Sequence, residues 1–160
     1  MNTITVVVPC YNEEDVLKSF YVEITKVTSE MKKVKFEIIF IDDGSKDKTL
    51  EIIKGYSKLD SKVKYISFSR NFGKEAAIYA GLKAASGEYV VIIDADLQHP
   101  PRLIKDMYYG ITKEGYDSVV AYRIDRKGES KIRYFFQKSF LNLQVRLQNL
   151  ILCKVRKIIE

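Results

Sequence analysis

The tightest constraint on the fold of this chain is a rhythm. Short, nearly unbroken apolar runs rich in β-branched residues alternate with longer stretches of helical pattern. "ITVVVP" (4–9), "FEIIFI" (36–41), "VKYISF" (63–68), "YVVIID" (89–94) and "SVVAY" (118–122) have the length and composition of strands. Residues 13–31, 46–58, 74–85 and 102–113 read as helices. Asp43, Ser45 and Asp47 offer capping chemistry before the second helix, and Pro100-Pro101 precede the fourth. A strand that is apolar on both faces must be covered on both faces. The alternation therefore predicts the α/β class: a mostly parallel sheet with helices on both sides.

In such folds ligands bind beyond the carboxyl ends of the strands. "PCYNEE" follows the first strand, "DDGSKDKT" the second, "SRNFGKE" the third and "DADLQHPP" the fourth, so four polar clusters fall on one rim. Asp42, Asp43, Asp94 and Asp96 repel one another there. That repulsion points to a binding site rather than to a stabilising edge.

Two aspartates one residue apart, Asp94 and Asp96, can converge on one hard cation once the chain leaves the pleat. Mg²⁺ and Mn²⁺ favour oxygen ligands and share themselves between one or two carboxylates and substrate phosphates. D-A-D thus reads as a holder for a metal–diphosphate unit, with Gln98 as a neutral third ligand. The competing reading has both aspartates capping the helix after Pro100-Pro101. Asp43 can accept from a base imide N–H or a ribose hydroxyl, and Gly44 allows a sharp turn beneath it. No G-x-G-x-x-G follows the first strand and no G-x-x-x-x-G-K-[ST] is present, which argues against a dinucleotide dehydrogenase and a P-loop phosphotransferase. His99, the only histidine, sits beside prolines and reads as a loop residue sooner than as a catalyst.

A length of 160 residues suits one domain. Cys10 and Cys153 lie far apart, which suggests no disulfide framework and favours a reducing compartment. The opening "MNTITVVVPCYNEE" has no leader pattern, and the apolar runs are shorter than the roughly 20 residues that span a bilayer. Charge is unevenly placed. Residues 1–122 hold 17 Lys and Arg against 18 Asp and Glu; residues 123–160 hold 10 against 3. The tail therefore suits an anionic partner, although a solvated helix face explains the same charge. No nucleic-acid recognition motif or aromatic platform accompanies it.

"VVVPCYNEE", "IIFIDDGSKDKT", "SRNFGKEAAIYAGLKAASGEYVVIIDADLQHPP" and "VVAYRIDRKGES", taken together, resemble the family 2 glycosyltransferases over about residues 3–140. Within that family the chain is similar to the polyprenyl-phosphate sugar transferases, the dolichyl-phosphate mannose synthases and bactoprenol glucosyltransferases. The resemblance implies a GT-A fold (a Rossmann-like, mostly parallel sheet), a nucleotide-diphosphate sugar donor and Mg²⁺ or Mn²⁺. It places Pro9, Tyr11, Asn12 and Glu13 in the first nucleotide loop and Asp43 at the base. Asp94 and Asp96 fall at the metal and diphosphate, with Gln98 as a further ligand. Arg123 and Arg133 fall at the donor and acceptor phosphates, and Arg126 lies between them. A planar guanidinium suits phosphate. The cation acts as a Lewis acid on the departing diphosphate, and an ionised lipid phosphate needs no dedicated base. Attack with inversion at the anomeric carbon is what the family implies. The nearness to the bactoprenol branch favours a UDP-sugar, with a polyprenyl phosphate as acceptor at the cytoplasmic face of the cell membrane.

Two departures qualify the resemblance. The "QxxRW" motif of processive synthases is missing, which argues against polymerisation. Membrane-anchored members continue into hydrophobic spans, so one expectation is a piece of a longer parent. The division expected is a catalytic core at 1–125 and a basic amphipathic helical segment at 126–160. In that segment Phe136, Phe140, Leu143, Leu147, Leu150 and Ile151 recur at helical spacing among Lys138, Arg146, Lys154, Arg156 and Lys157. Such a helix can lie in an anionic membrane interface, close its own core or form a homo-oligomer contact. Two other functions stay open: a soluble transferase acting on a cell-surface polysaccharide, and a catalytically silent nucleotide-sugar-binding module.

Overall fold

A computed structural model describes residues 1–121 and 150–154. The strands are β1 (Thr3–Cys10), β2 (Lys35–Asp42), β3 (Val63–Ser67), β4 (Tyr89–Ile92), β5 (Ser118–Ala121) and β6 (Leu150–Lys154). The helices are α1 (Leu17–Glu30), α2 (Thr49–Leu59), α3 (Lys74–Ala84) and α4 (Leu103–Lys113). They build a six-stranded sheet in the order β3-β2-β1-β4-β6-β5. β1 to β4 pair in parallel, and β6 runs antiparallel to both β4 and β5.

Alternate residues of β1 enter different layers, as the pleat requires. Ile4, Val6 and Val8 pack with Phe20 and Ile24 of α1, Ile53 of α2 and Ile104 and Met107 of α4. Val7 faces the other way, with Ile39, Ile41, Val90 and Ala77 of α3. Helices cover both faces, as expected, but unequally. α3 lies close to the sheet on its side: a Cβ on Gly81 would stand 2.4 Å from Cγ1 of Val7. The close approach needs a residue without a side chain.

Residues 150–154 correct the expectation of a helix running to the end of the chain. They form β6, inserted between β4 and β5, with Leu152 fully buried. A short run such as "LILC" satisfies a strand buried on both faces as well as a helical stripe, and long-range pairing decided between them. This part of the segment expected at 126–160 belongs to the core sheet. The remainder of that segment lies outside the described residues, with Tyr122, Arg123, Arg126 and Arg133.

Candidate active site

The strands deliver the expected loops to one rim, and the structure shows that the four rim aspartates have different occupations. Asp42 ends β2 and is almost fully buried. Its Oδ1 accepts from the Ser45 N–H at 3.2 Å and its Oδ2 from the Ser67 hydroxyl at 3.2 Å. Asp43, 3% exposed, accepts the Phe72 N–H at 2.7 Å on Oδ1 and the Gly73 N–H at 2.9 Å on Oδ2. Both therefore brace the rim through backbone and hydroxyl donors. Gly44 sits between the braced loops with φ +69°, and a Cβ there would lie 2.4 Å from the Arg70 carbonyl carbon. Only glycine fits that approach and that backbone angle.

The first loop is laced to the second by the residues expected to bind nucleotide. Asn12, in the left-handed region at φ 55°, donates its N–H to Ser45 Oγ at 3.0 Å and accepts the Lys46 N–H at 2.9 Å. The Glu13 N–H donates to Thr49 Oγ1 at 2.7 Å. These contacts displace the helix starts. α1 begins at Leu17 instead of residue 13 and α2 at Thr49 instead of 46, because the preceding residues serve the loop–loop contact.

Asp94 and Asp96 lie just beyond β4, in a turn that places Leu97 at φ 59°. Neither caps α4. Its first turn is closed by the Leu103 and Ile104 N–H groups donating to the carbonyls of Pro100 and Pro101, with no side-chain cap. The capping reading is thereby excluded. Asp96 Oδ1 accepts the Gln98 N–H at 2.9 Å and shapes the turn. Asp94 Oδ2 accepts from Lys74 Nζ at 2.7 Å across the rim.

These groups surround an open cavity of about 310 Å³. Pro9, Tyr11 and Ala77 give it apolar walls, Asn71 and Gly73 form part of its side, and Glu13, Asp43, Asp94, Asp96 and Lys74 supply charge. The structure thus brings together Pro9, Tyr11, Glu13, Asp43, Asp94 and Asp96. It leaves Asn12, Gln98 and His99 off the lining. A second cleft of about 460 Å³ shares Tyr11 and Asn71 with the first and extends along the loops after β2 and β3, past Lys46 and Arg70. Lys74 is the site residue that sequence reasoning passed over. Its signal was present in "SRNFGKE", a basic residue at the start of a helix on the loaded rim.

The carboxylates crowd one another. Burial raises the Glu13 carboxyl, the charges of Asp96, Asp94 and Asp47 raise it further, and Lys74 opposes them. A hard cation suits such a donor set, all oxygen and excess negative. Among the described residues no group of three His, Cys, Asp or Glu side chains is poised on one point. Asp94 and Asp96 are the lining carboxylates that could hold Mg²⁺ or Mn²⁺, an ion that commonly completes its shell with phosphate and water.

With that geometry in view, the comparisons are specific. A profile described as glycosyl transferase family 2 matches residues 5–156. The chain belongs to this family. It is 46% identical over 143 residues to an uncharacterized glycosyltransferase of Bacillus subtilis (strain 168), YkcC, covering 89% of this chain and 42% of that protein. It is 42% identical over 134 residues to the bactoprenol glucosyl transferase of Shigella phage SfV, covering 81% of this chain and 42% of that protein. Among solved structures it resembles glucosyl-3-phosphoglycerate synthase from Mycobacterium tuberculosis in complex with uridine diphosphate. That match has a TM-score of 0.66 and 27% identity, over 96% of this chain and 57% of that one. The fold is the GT-A arrangement of these glycosyltransferases. The chain spans about two fifths of the length of the curated relatives named here.

Proposed function

We propose that this chain carries the donor site of a metal-dependent, inverting glycosyltransferase that moves a sugar from a nucleotide diphosphate to a polyprenyl phosphate. The observation that carries the reading is the convergence of Asp94, Asp96 and Glu13 with Lys74 on one cavity between Pro9 and Tyr11. A cavity whose charged lining sets the carboxylates of Glu13, Asp43, Asp94 and Asp96 against Lys74 repels a diphosphate unless a divalent cation lies between them. Bound there by Asp94 and Asp96, Mg²⁺ or Mn²⁺ would neutralise the charge on the departing diphosphate.

The chain's own residues bind and orient. Tyr11, 41% exposed at the junction of the two clefts, offers a ring face for a base. Each Asp43 oxygen keeps a lone-pair direction beyond its backbone bond and can take a base N–H. An acceptor phosphate oxygen then attacks the anomeric carbon as the carbon–oxygen bond to the diphosphate breaks. The acceptor is already ionised, so no base is required. Uridine is favoured by the uridine diphosphate in the mycobacterial synthase. Arg123 and Arg133 stand in this reading at the phosphates, and the basic tail at the inner face of a membrane. Among the described residues no helix is long and apolar enough to cross one.

Calorimetric titration of the 160-residue chain with UDP-glucose, UDP-N-acetylglucosamine and GDP-mannose in Mn²⁺ is expected to select a UDP-sugar. Asp96→Asn is expected to lower Mn²⁺-dependent donor turnover by about 100-fold or more at an unchanged melting temperature. Equal turnover by variant and parent across a Mn²⁺ titration would overturn the assignment.

A further inference from the structure

We propose that Lys74 is the resident counter-cation of the metal-binding carboxylate. It holds Asp94 while the cavity is without donor, yields that oxygen to an arriving divalent cation, and then serves the donor's diphosphate from the same cavity. The inference rests on the donor-site reading above and adds a residue to it.

Three observations support it. First, Lys74 Nζ stands 2.7 Å from Asp94 Oδ2, on the residue that reading gives to the metal. Both side chains keep solvent contact, 39% and 28% exposed, so the pair is not sealed into the core. A partly exposed pair contributes little to the fold, and a structural role alone does not explain its position. Second, Lys74 is the only cationic residue on the described lining of the cavity, where it faces Glu13, Asp94 and Asp96. An ammonium and a divalent cation repel each other strongly at one carboxylate. Metal entry thus displaces the lysine from Asp94, and the phosphate oxygens that arrive with the metal join the Glu13 and Asp96 carboxylates as anionic acceptors on the same cavity. With three donors and no acceptor, an ammonium serves either partner.

Third, the lysine is fixed at its base, while its tip is held only by the partly exposed Asp94 carboxylate. It is the first residue of α3, directly after Gly73 at φ +99°. The Gly73 and Phe72 N–H groups are held by Asp43, and Gly44 packs against the Arg70 backbone. Asp43 is therefore a positioning residue for Lys74, whose four-carbon stem leaves the ammonium room to change partner.

The test measures Mn²⁺ binding without nucleotide, by electron paramagnetic resonance of free Mn²⁺, in the 160-residue chain and in Lys74→Met. Removing the competitor is expected to raise nucleotide-free Mn²⁺ affinity on the order of fivefold. UDP affinity at saturating Mn²⁺ is expected to fall roughly tenfold. A merely structural lysine predicts no gain in metal affinity. Unchanged or weakened Mn²⁺ binding in Lys74→Met overturns the counter-cation role, and unchanged UDP affinity overturns the transfer to diphosphate. Lys74→Gln replaces Lys74→Met if the latter does not fold. Asp94→Asn separates the two levels. If it binds Mn²⁺ like the parent, the donor-site reading itself fails; if it loses Mn²⁺ while Lys74→Met matches the parent, only the lysine's role fails.

Discussion

Glu37 lies within the sheet and Asp94 just beyond one of its strands, and the two have opposite lives. Glu37 sits near the amino end of β2, 6% exposed, and every approach to it is filled. Oε2 accepts from the Thr5 hydroxyl at 2.6 Å and the Ser86 N–H at 3.0 Å, and Oε1 from Lys64 Nζ at 2.6 Å. The Thr5 oxygen in turn accepts the Gly87 N–H at 3.0 Å. Burial alone would raise this carboxyl, but the hydrogen bonds from Lys64, Thr5 and Ser86 outweigh it and hold the group at about 2. Asp94, at the carboxyl end of β4, has one lysine and an open cavity. The Glu37 carboxylate, surrounded by donors, ties β2 to β1, to β3 and to the connection between α3 and β4. Asp94, held by one partly exposed lysine, is the carboxylate that the proposed exchange requires. Satisfaction, together with burial, separates Glu37 from the acid to which the proposed function gives the metal.

The comparison breaks most readily at Glu37. Glu37→Ala leaves the Thr5 hydroxyl and the Ser86 N–H without their acceptor and is expected to cost about 2–3 kcal/mol, read as a lower urea midpoint at constant slope. Donor affinity at the far rim should stay within about twofold once the fold is saturated. A loss of Mn²⁺ binding instead would mean that the two ends of the sheet are coupled. The pH dependence has a definite sign. A carboxyl lowered from 4.5 to about 2 contributes its stability above pH 4.5 and loses it as pH falls from there toward 2. The parent should lose stability through that window, and Glu37→Ala should lose about 2 kcal/mol less.

Gly44→Ala tests the structural half of the active rim. Its φ of +69° and the 2.4 Å approach to Arg70 predict a loss of about 1–3 kcal/mol in thermal or urea unfolding. Metal-dependent donor binding should weaken as well, because the displaced loop carries Lys74. Stability lost with donor binding intact would show that the brace and the site are independent. The smallest effect is expected at Gln98, exposed and absent from the cavity lining. Gln98→Ala should change Mn²⁺ affinity by less than about twofold. A loss beyond tenfold would restore it as the third ligand that the sequence suggested.

Much of this was legible in advance for identifiable reasons. Apolar runs of strand length between helical stretches leave few ways to cover a sheet, and right-handed crossovers then carry successive loops to one rim. That placed Pro9, Tyr11, Glu13, Asp43, Asp94 and Asp96 near one another before any coordinates. The strand at 150–154 was not legible, since four consecutive apolar residues carry no period of their own. Nor was the division among the aspartates, which depends on what the next loop presents to each.

The sequence by itself determined the class of fold, the loaded rim and the family, because side-chain periodicity and loop composition are local properties of the chain. Only the tertiary structure decided that Asp43 holds the loop before α3, that Lys74 meets Asp94 across 20 residues of sequence, and that β6 enters the sheet from the far end of the chain. Those outcomes depend on distances of a few ångströms between segments remote in sequence, which no local pattern encodes.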